Sequence, residues 1–147
     1  MRVRYKTLPV QAPHPAFPDE RFSWVPIVNV SLIYGHATSP RFEAVVDSGS
    51  ERCLFHSSVG HAIGLRVDRG IHGTLGGVVG TGKPADVYYH RVKLVVFADI
   101  LDITAGFCDE LVVAGLLGRV GFFSNYSVTF DPTSDPPGMD IIRVGRA

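Results

Sequence analysis

The amino-acid sequence predicts an all-β fold, and three observations support that class. Turn-forming residues separate short apolar runs along the whole chain, with 16 glycines and 10 prolines in 147 residues. Several of the runs are rich in β-branched and aromatic residues, which favour strands. Helical patterns are confined to two short segments. We therefore expect one β domain with one or two short helices.

The first 24 residues are predicted to form an extended, irregular arm, with the domain itself at 25–147. Proline fixes φ and lacks the N–H that a central strand needs. Five prolines lie in or beside this arm, namely Pro9, Pro13, Pro15, Pro18 and Pro26.

Five candidate strands follow the arm. Their apolar residues alternate with polar ones or run continuously, as expected for half-buried and buried strands. The strand ending at Asp47 is nearly all apolar, and the third is long enough to be one arm of a hairpin. The five are 27–33, 42–46, 87–97, 126–130 and 141–144.

Two short helices complete the predicted elements. The first spans 57–63, with Ser57 or Ser58 as N-cap and Gly64 as C-cap. The second follows Gly118.

Composition excludes several classes of function. Fourteen basic and fourteen acidic residues give zero formal net charge, so we expect no nucleic-acid partner and no anionic-membrane partner. No apolar run approaches the ~18 residues of a membrane helix, and no apolar stretch follows Met1 as in a signal peptide. We expect a soluble, cytoplasmic protein.

Cys53 and Cys108 are then expected to be buried free thiols, with a single disulfide as the alternative.

An acid stands where the second candidate strand ends, in Asp47-Ser48-Gly49-Ser50. A carboxylate at a buried strand end is costly unless it is used. Gly49 lets backbone approach closely and can donate its N–H, and Ser48 offers a hydroxyl. Taken alone, the triplet is more often an ordinary Asx-turn at the end of a strand than a catalytic site.

A second segment, Leu116-Leu117-Gly118-Arg119, also follows apolar sequence. A glycine after two large apolar residues fits a crossing of strands, where a side chain would clash. By itself this segment indicates only core structure.

Together, in this order and about seventy residues apart, the two segments resemble the retropepsin-like aspartic proteases. That family has a hydrophobic strand leading into Asp-(Thr/Ser)-Gly-(Ala/Ser), a glycine-rich flap hairpin, and a hydrophobic-hydrophobic-Gly motif often continued by Arg. The resemblance covers roughly 25–131 and implies a closed β-barrel, the half-domain of an acid protease. Viral members often have Asp or Asn after the Arg, where this chain has Val120.

The glycine-rich stretch 73–83 is the candidate flap, because glycines permit the hinge motion of a closing hairpin. Its end also fits the phosphate-loop pattern G-x-x-x-x-G-K, but Pro84 replaces the Ser or Thr and a strand pattern follows. We therefore expect no nucleotide. The flap residues are Gly76, Gly77, Val78, Val79 and Gly80.

The resemblance implies an aspartic endopeptidase that cuts peptide or protein substrates. Two carboxylates share one proton around the attacking water, but this chain has one such motif, so the second Asp47 must come from another copy in a homodimer. Ser48 is then expected to hydrogen-bond across the dimer, Gly49 to line the substrate and Ser50 to support the site.

The resemblance also implies an ion pair between Glu51 and Arg119 near the base of the dimer, two separate surface charges being the alternative. We expect no metal and no cofactor, because the histidines lack ligand spacing. The competing function is a non-catalytic dimeric β-domain that binds peptides or protein partners.

Overall fold

The computed structural model describes residues 1–76 and 82–145. Within them the chain forms thirteen strands, one α-helix and one 3-10 turn. In chain order these are β1 Arg2–Arg4, β2 Lys6–Pro9, β3 Phe22–Val25, β4 Ile27–Tyr34, β5 Ala37–Thr38, β6 Phe42–Val46, β7 Leu54–His56, α1 Ser57–Ala62, the 3-10 turn Val67–Arg69, β8 Ile71–Leu75, β9 Ala85–Val96, β10 Asp99–Cys108, β11 Gly115–Leu117, β12 Tyr126–Asp131 and β13 Gly138–Arg143.

Six strands close into a barrel, which confirms the predicted all-β class. They are hydrogen-bonded in the order β4-β6-β11-β7-β10-β9, and β9 pairs back onto β4 to close the ring. The short strand β5 extends the sheet beside β4, and β8 extends it beside β9. Closure leaves no open edges within the ring itself.

Aromatic and aliphatic side chains fill the barrel. Phe55, Phe107 and Phe122 are fully buried, and each contributes roughly 1.5–3 kcal/mol by leaving water. Cys53 and Cys108 are also buried and are not bonded to each other, which confirms the expected free thiols. Burial raises the pKa of the Cys53 thiol to about 11.

A second sheet, in the order β1-β13-β12, holds the two ends of the domain together. Met139 and Ile141 of β13 are buried against the barrel core. On the outer face, the Arg2 guanidinium bonds Asp140 at 2.9 Å and Asp131 at 3.2 Å. The first residues of the chain are therefore part of the folded domain.

The arm is more ordered than its prolines predict. β1 pairs with β13, and the next two strands, β2 and β3, form a separate two-stranded hairpin. Pro9 is tolerated because it lies at a strand end in a hairpin that has no central strand. Lys6 Nζ bonds the Glu43 carboxylate of β6 at 2.6 Å and ties the hairpin to the barrel. The predicted boundary between residues 24 and 25 stays a prediction.

The five predicted strands are all present. The strand 42–46 has the predicted bounds, and the other four differ by one to three residues at an end. Outside the arm, sequence reasoning missed the short strands β5, β7, β8 and β11 and the long strand β10.

The first predicted helix is present as α1, but its N-cap is His56, whose Nδ1 accepts from Ser58 N at 3.1 Å. Ile63 is the C-cap, and Gly64 follows it with φ +78°. The helix predicted after Gly118 is wrong. The N–H groups of Phe122 and Phe123 both donate to Gly118 O, and the chain passes through a turn into β12. Neither helical element in the described ranges is long and apolar enough to cross a membrane.

Candidate active site

The two sequence motifs meet because β11 lies between β6 and β7. It runs parallel to β6, with Leu116 opposite Val45 and Leu117 opposite Val46. It runs antiparallel to β7, with Gly115 opposite Phe55. The loop that carries Asp47 therefore starts on one side of β11 and returns on the other.

Backbone hydrogen bonds fix Asp47 at the end of β6. Its N–H donates to Leu117 O at 3.1 Å, and the preceding N–H of Val46 donates to Pro26 O at 2.8 Å. Ser50 N closes the turn by donating to Asp47 O at 3.2 Å. The acid is thus held between the strand before it and a strand from much later in the chain.

The carboxylate itself is oriented by the turn. Gly49 N donates to Asp47 Oδ1 at 2.9 Å, and Asp47 is partly buried. A Cβ added at Gly49 would lie 3.1 Å from that same oxygen, so a larger residue would crowd the carboxylate. Ser50 Oγ donates to Arg52 O at 2.7 Å, a hydrogen bond within the loop that follows Asp47. Ser48 is exposed, and its role across a dimer stays a prediction.

Gly118 is required by close packing of backbone on backbone. A Cβ there would lie 2.2 Å from Arg52 O and 2.8 Å from Ser50 O, both main-chain atoms with little freedom to move. The next residues bond the loop directly, because Arg119 N donates to Ser50 O and Val120 N to Glu51 O, each at 2.9 Å. The hydrophobic-hydrophobic-Gly motif is therefore the support of the acid loop.

Asp47 opens onto a cavity of about 440 Å³ that is lined mostly by apolar side chains. A second cavity, of about 740 Å³, adjoins it and shares Ser50, Glu51, Leu54 and Leu75 with it. The two neighbouring cavities, together called the cleft, lie along the loop that follows the acid. Sequence reasoning missed five of the residues that line the smaller cavity, which are Leu54, Leu75, Leu111, Val112 and Val113. The one available signal was their apolar character beside the two motifs.

One wall of the cleft is the end of the β8–β9 hairpin. These strands pair from Ile71 opposite Tyr89 to Leu75 opposite Ala85, and Leu75 and Gly76 line the smaller cavity. Gly76 is exposed, and a Cβ added there would meet no atom of the described residues within 4 Å. The other predicted flap residues, Gly77, Val78, Val79 and Gly80, lie outside the described residues.

The predicted ion pair between Glu51 and Arg119 is not formed in this chain. Among the residues described, Glu51 Oε1 instead lies 3.5 Å from Nη2 of the neighbouring Arg52, and both side chains are about half exposed. The segments that contain Glu51 and Arg119 are joined by a backbone hydrogen bond, from Val120 N to Glu51 O, and not by an ion pair between the two side chains. An exposed neighbour pair of this kind adds little stability.

No candidate metal centre accompanies the site. Within 1–76 and 82–145, the His, Cys, Asp and Glu side chains form no group of three or more that could hold a metal ion. His72 Nε2 and Asp86 lie 2.7 Å apart on the β8–β9 hairpin, where both are exposed.

The fold is retropepsin-like. The chain is similar to a retropepsin-like aspartic protease from Rickettsia conorii, with a TM-score of 0.56 and 10% identity over 77% of this chain and 88% of that one. This identity is low enough that the likeness shows the fold alone.

Two further structures resemble the chain more weakly. The EIAV protease complexed with the inhibitor HBY-793 gives a TM-score of 0.47 and 15% identity over 65% of this chain and 82% of that one. The retroviral protease-like domain of Ddi1 from Leishmania major gives 0.48 and 16%, over 80% of this chain and 95% of that one. No protein-family model and no curated protein sequence matches the chain.

Proposed function

We propose that this chain is one subunit of an aspartic endopeptidase, in which Asp47 supplies one of two catalytic carboxylates. The observation that carries the proposal is the placement of Asp47. Its carboxylate is held by Gly49 N at the end of a buried strand and borders an apolar cavity. The retropepsin-like fold supports a hydrolase of this class.

The second carboxylate is proposed to be Asp47 of the partner subunit in a homodimer. A closed two-fold arrangement brings the same residue of each chain together, so that one motif serves twice. Glu51 also borders the cavity, but its carboxylate pairs with Arg52. It is therefore a poorer candidate for the second acid than a second Asp47.

In the proposed reaction the ionised carboxylate takes a proton from water, and the water oxygen bonds to the carbonyl carbon of the peptide. The protonated carboxyl gives its proton to the carbonyl oxygen, which stabilises the tetrahedral intermediate. The amide nitrogen then takes the proton that the first carboxyl received from water, and as the C–N bond breaks one hydroxyl of the intermediate gives its proton to the second carboxylate, which leaves a carboxylic acid, an amine and the starting pair of carboxyls. The end of the β8–β9 hairpin is proposed to act as a flap that covers the substrate and excludes water.

The proposal is tested by digestion of an unfolded protein, with the new chain ends identified by mass spectrometry. Asp47→Asn should abolish cleavage, whereas the control Asp68→Asn, in the exposed 3-10 turn, should cleave like the wild type. Cleavage that survives Asp47→Asn would contradict the mechanism. Loss of cleavage in Glu51→Gln equal to that in Asp47→Asn would indicate that both acids come from one chain.

A further inference from the structure

The β2–β3 hairpin presents an aromatic face that the described part of the chain leaves about half exposed. Phe22 and Trp24 alternate along β3 and so lie on one face of the hairpin. They are opposite Pro9 and Thr7 of β2. Phe22 is 54% exposed and Trp24 is 49% exposed. All four residues of β2 are exposed as well.

Such a hairpin is poorly stabilised by itself. Two isolated strands are marginal in water, and in the described part of the chain β2 and β3 form a sheet only with each other. Their side-chain anchor is the exposed bond between Lys6 and Glu43. Large aromatic side chains exposed together typically mark an interaction surface.

The position of the hairpin indicates what covers it. Because β4 is antiparallel to β6, with Ile27 opposite Val45, following the chain back from Ile27 leads past the end of β6 where Asp47 lies. Pro26 O accepts from Val46 N at 2.8 Å, so β3 ends next to the candidate catalytic loop. If Asp47 lies on a two-fold axis, this part of the hairpin lies near the same axis.

We propose that the face formed by Phe22 and Trp24 docks against a second copy of this chain. This inference rests on the proposed function, which places Asp47 at the dimer axis. Each aromatic side chain can bury ~150–250 Å², so four half-exposed rings would contribute roughly 300–500 Å² to the dimer. A specific interface buries about 1,200–2,000 Å² in total. The hairpins thus supply about a quarter of it, and the loops around Asp47 supply the rest.

The test uses the full chain carrying Asp47→Asn, which avoids self-cleavage. Trp24 is the chain's single tryptophan, so its fluorescence reports directly on the proposed interface. Sedimentation equilibrium over a concentration series gives the dimer Kd, and the emission maximum should move to shorter wavelength as the dimer fraction rises. Phe22→Ser should weaken dimerisation at least tenfold. The matched control Ile100→Ser, at a 60% exposed apolar residue of β10, should leave the Kd unchanged.

Both serine variants replace residues that are exposed in the single chain, so their melting temperatures should stay close to that of the parent at concentrations where the parent is monomeric. Trp24→Ser provides a second weakening variant. A dimer with unchanged Trp24 emission and an unaltered Kd in Phe22→Ser would overturn this inference and leave the proposed function standing. A fully active monomer would overturn both. A blue shift on phosphatidylcholine vesicles, with none on dimerisation, would assign the face to a membrane and also overturn the inference.

Discussion

The N–H of Asp47 donates to the carbonyl oxygen of Leu117, 3.1 Å away. This bond joins the end of β6 to the end of β11, so the acid is positioned by a segment about seventy residues later in the sequence. The geometry of Asp47 therefore depends on how closely β11 can approach the loop that follows the acid.

Gly118→Ala should destabilise the protein strongly. The new Cβ would lie 2.2 Å from Arg52 O, and relieving this overlap requires backbone movement that costs about 3 kcal/mol. Thermal unfolding should show a melting temperature lower by roughly 10 °C. Gly76→Ala is the control, because no atom of the described residues lies within 4 Å of a Cβ added at that position, and its melting temperature should barely change. Equal melting temperatures for the two variants would show that β11 does not need this close approach.

Asp47→Asn should fold as well as the wild type, although the proposed mechanism makes this variant inactive. The Asn side-chain oxygen can still accept from Gly49 N, which now bonds Asp47 Oδ1 at 2.9 Å. The melting temperature should be unchanged or higher, since the paired carboxylates of a dimer would no longer repel each other.

Excess Asp47→Asn chains should also inhibit wild-type chains. Subunit exchange would produce heterodimers that contain one acid each, so activity should fall below the value expected from simple dilution. Asp68→Asn chains added at the same concentration are the control and should not inhibit. Wild-type activity that is indifferent to both additions, with subunit exchange demonstrated, would contradict the shared site.

Gly76→Val should slow turnover without unfolding the chain. Gly76 lies at the cleft end of the β8–β9 hairpin and is exposed, and a Cβ added there would have no atom of the described residues within 4 Å. A β-branched residue there restricts the backbone motion that flap closure needs, so kcat/KM should fall roughly tenfold, about 1.4 kcal/mol of barrier. Comparison of kinetics and thermal melts for Gly76→Val and Gly76→Ala checks this. A large loss of melting temperature instead would make the segment structural.

Stability should fall between about pH 9 and pH 11 because of Cys53. Its buried thiol has a pKa raised to about 11, against 9.0 when unfolded. Below pH 9 the thiol is protonated in both the folded and the unfolded chain, so the free energy of unfolding does not change. Above it the unfolded state releases the proton first, which favours unfolding by about 2 kcal/mol at the upper end. Denaturant titrations across this range should show the decline, and Cys53→Ala should show less of it.

The strands that sequence reasoning found are those with a local signal. The run 42–46 is nearly all apolar, contains two β-branched residues and is followed by an acid and, two residues later, a glycine, so the sequence indicates both that it is a strand and where it ends. The short strand β11 has three residues, and only its pairing with both β6 and β7 makes it a strand. A strand that is defined only by its tertiary partners leaves no periodic pattern of apolar residues in the sequence.

The candidate site likewise contains some residues that a local motif identifies and others that only the tertiary structure places there. Asp47, Gly49 and Gly118 form motifs, and the structure brings them together. Leu111 and Leu75 border the same cavity, but they are ordinary apolar residues whose location depends on the closed barrel. Glu51 pairs with Arg52 rather than with Arg119. Exposed ion pairs differ little in energy, so the sequence does not indicate which of the two pairs forms.

The insertion of β11 between β6 and β7 also sets the order of events during synthesis. A ribosome adding about 5–20 residues per second needs on the order of 3–15 s to pass from Asp47 to Leu117. During that interval the chain contains the acid but lacks the carbonyl that fixes it and the glycine that lets the loop close. A nascent chain therefore cannot hold Asp47 in the arrangement described here until most of the domain has been made.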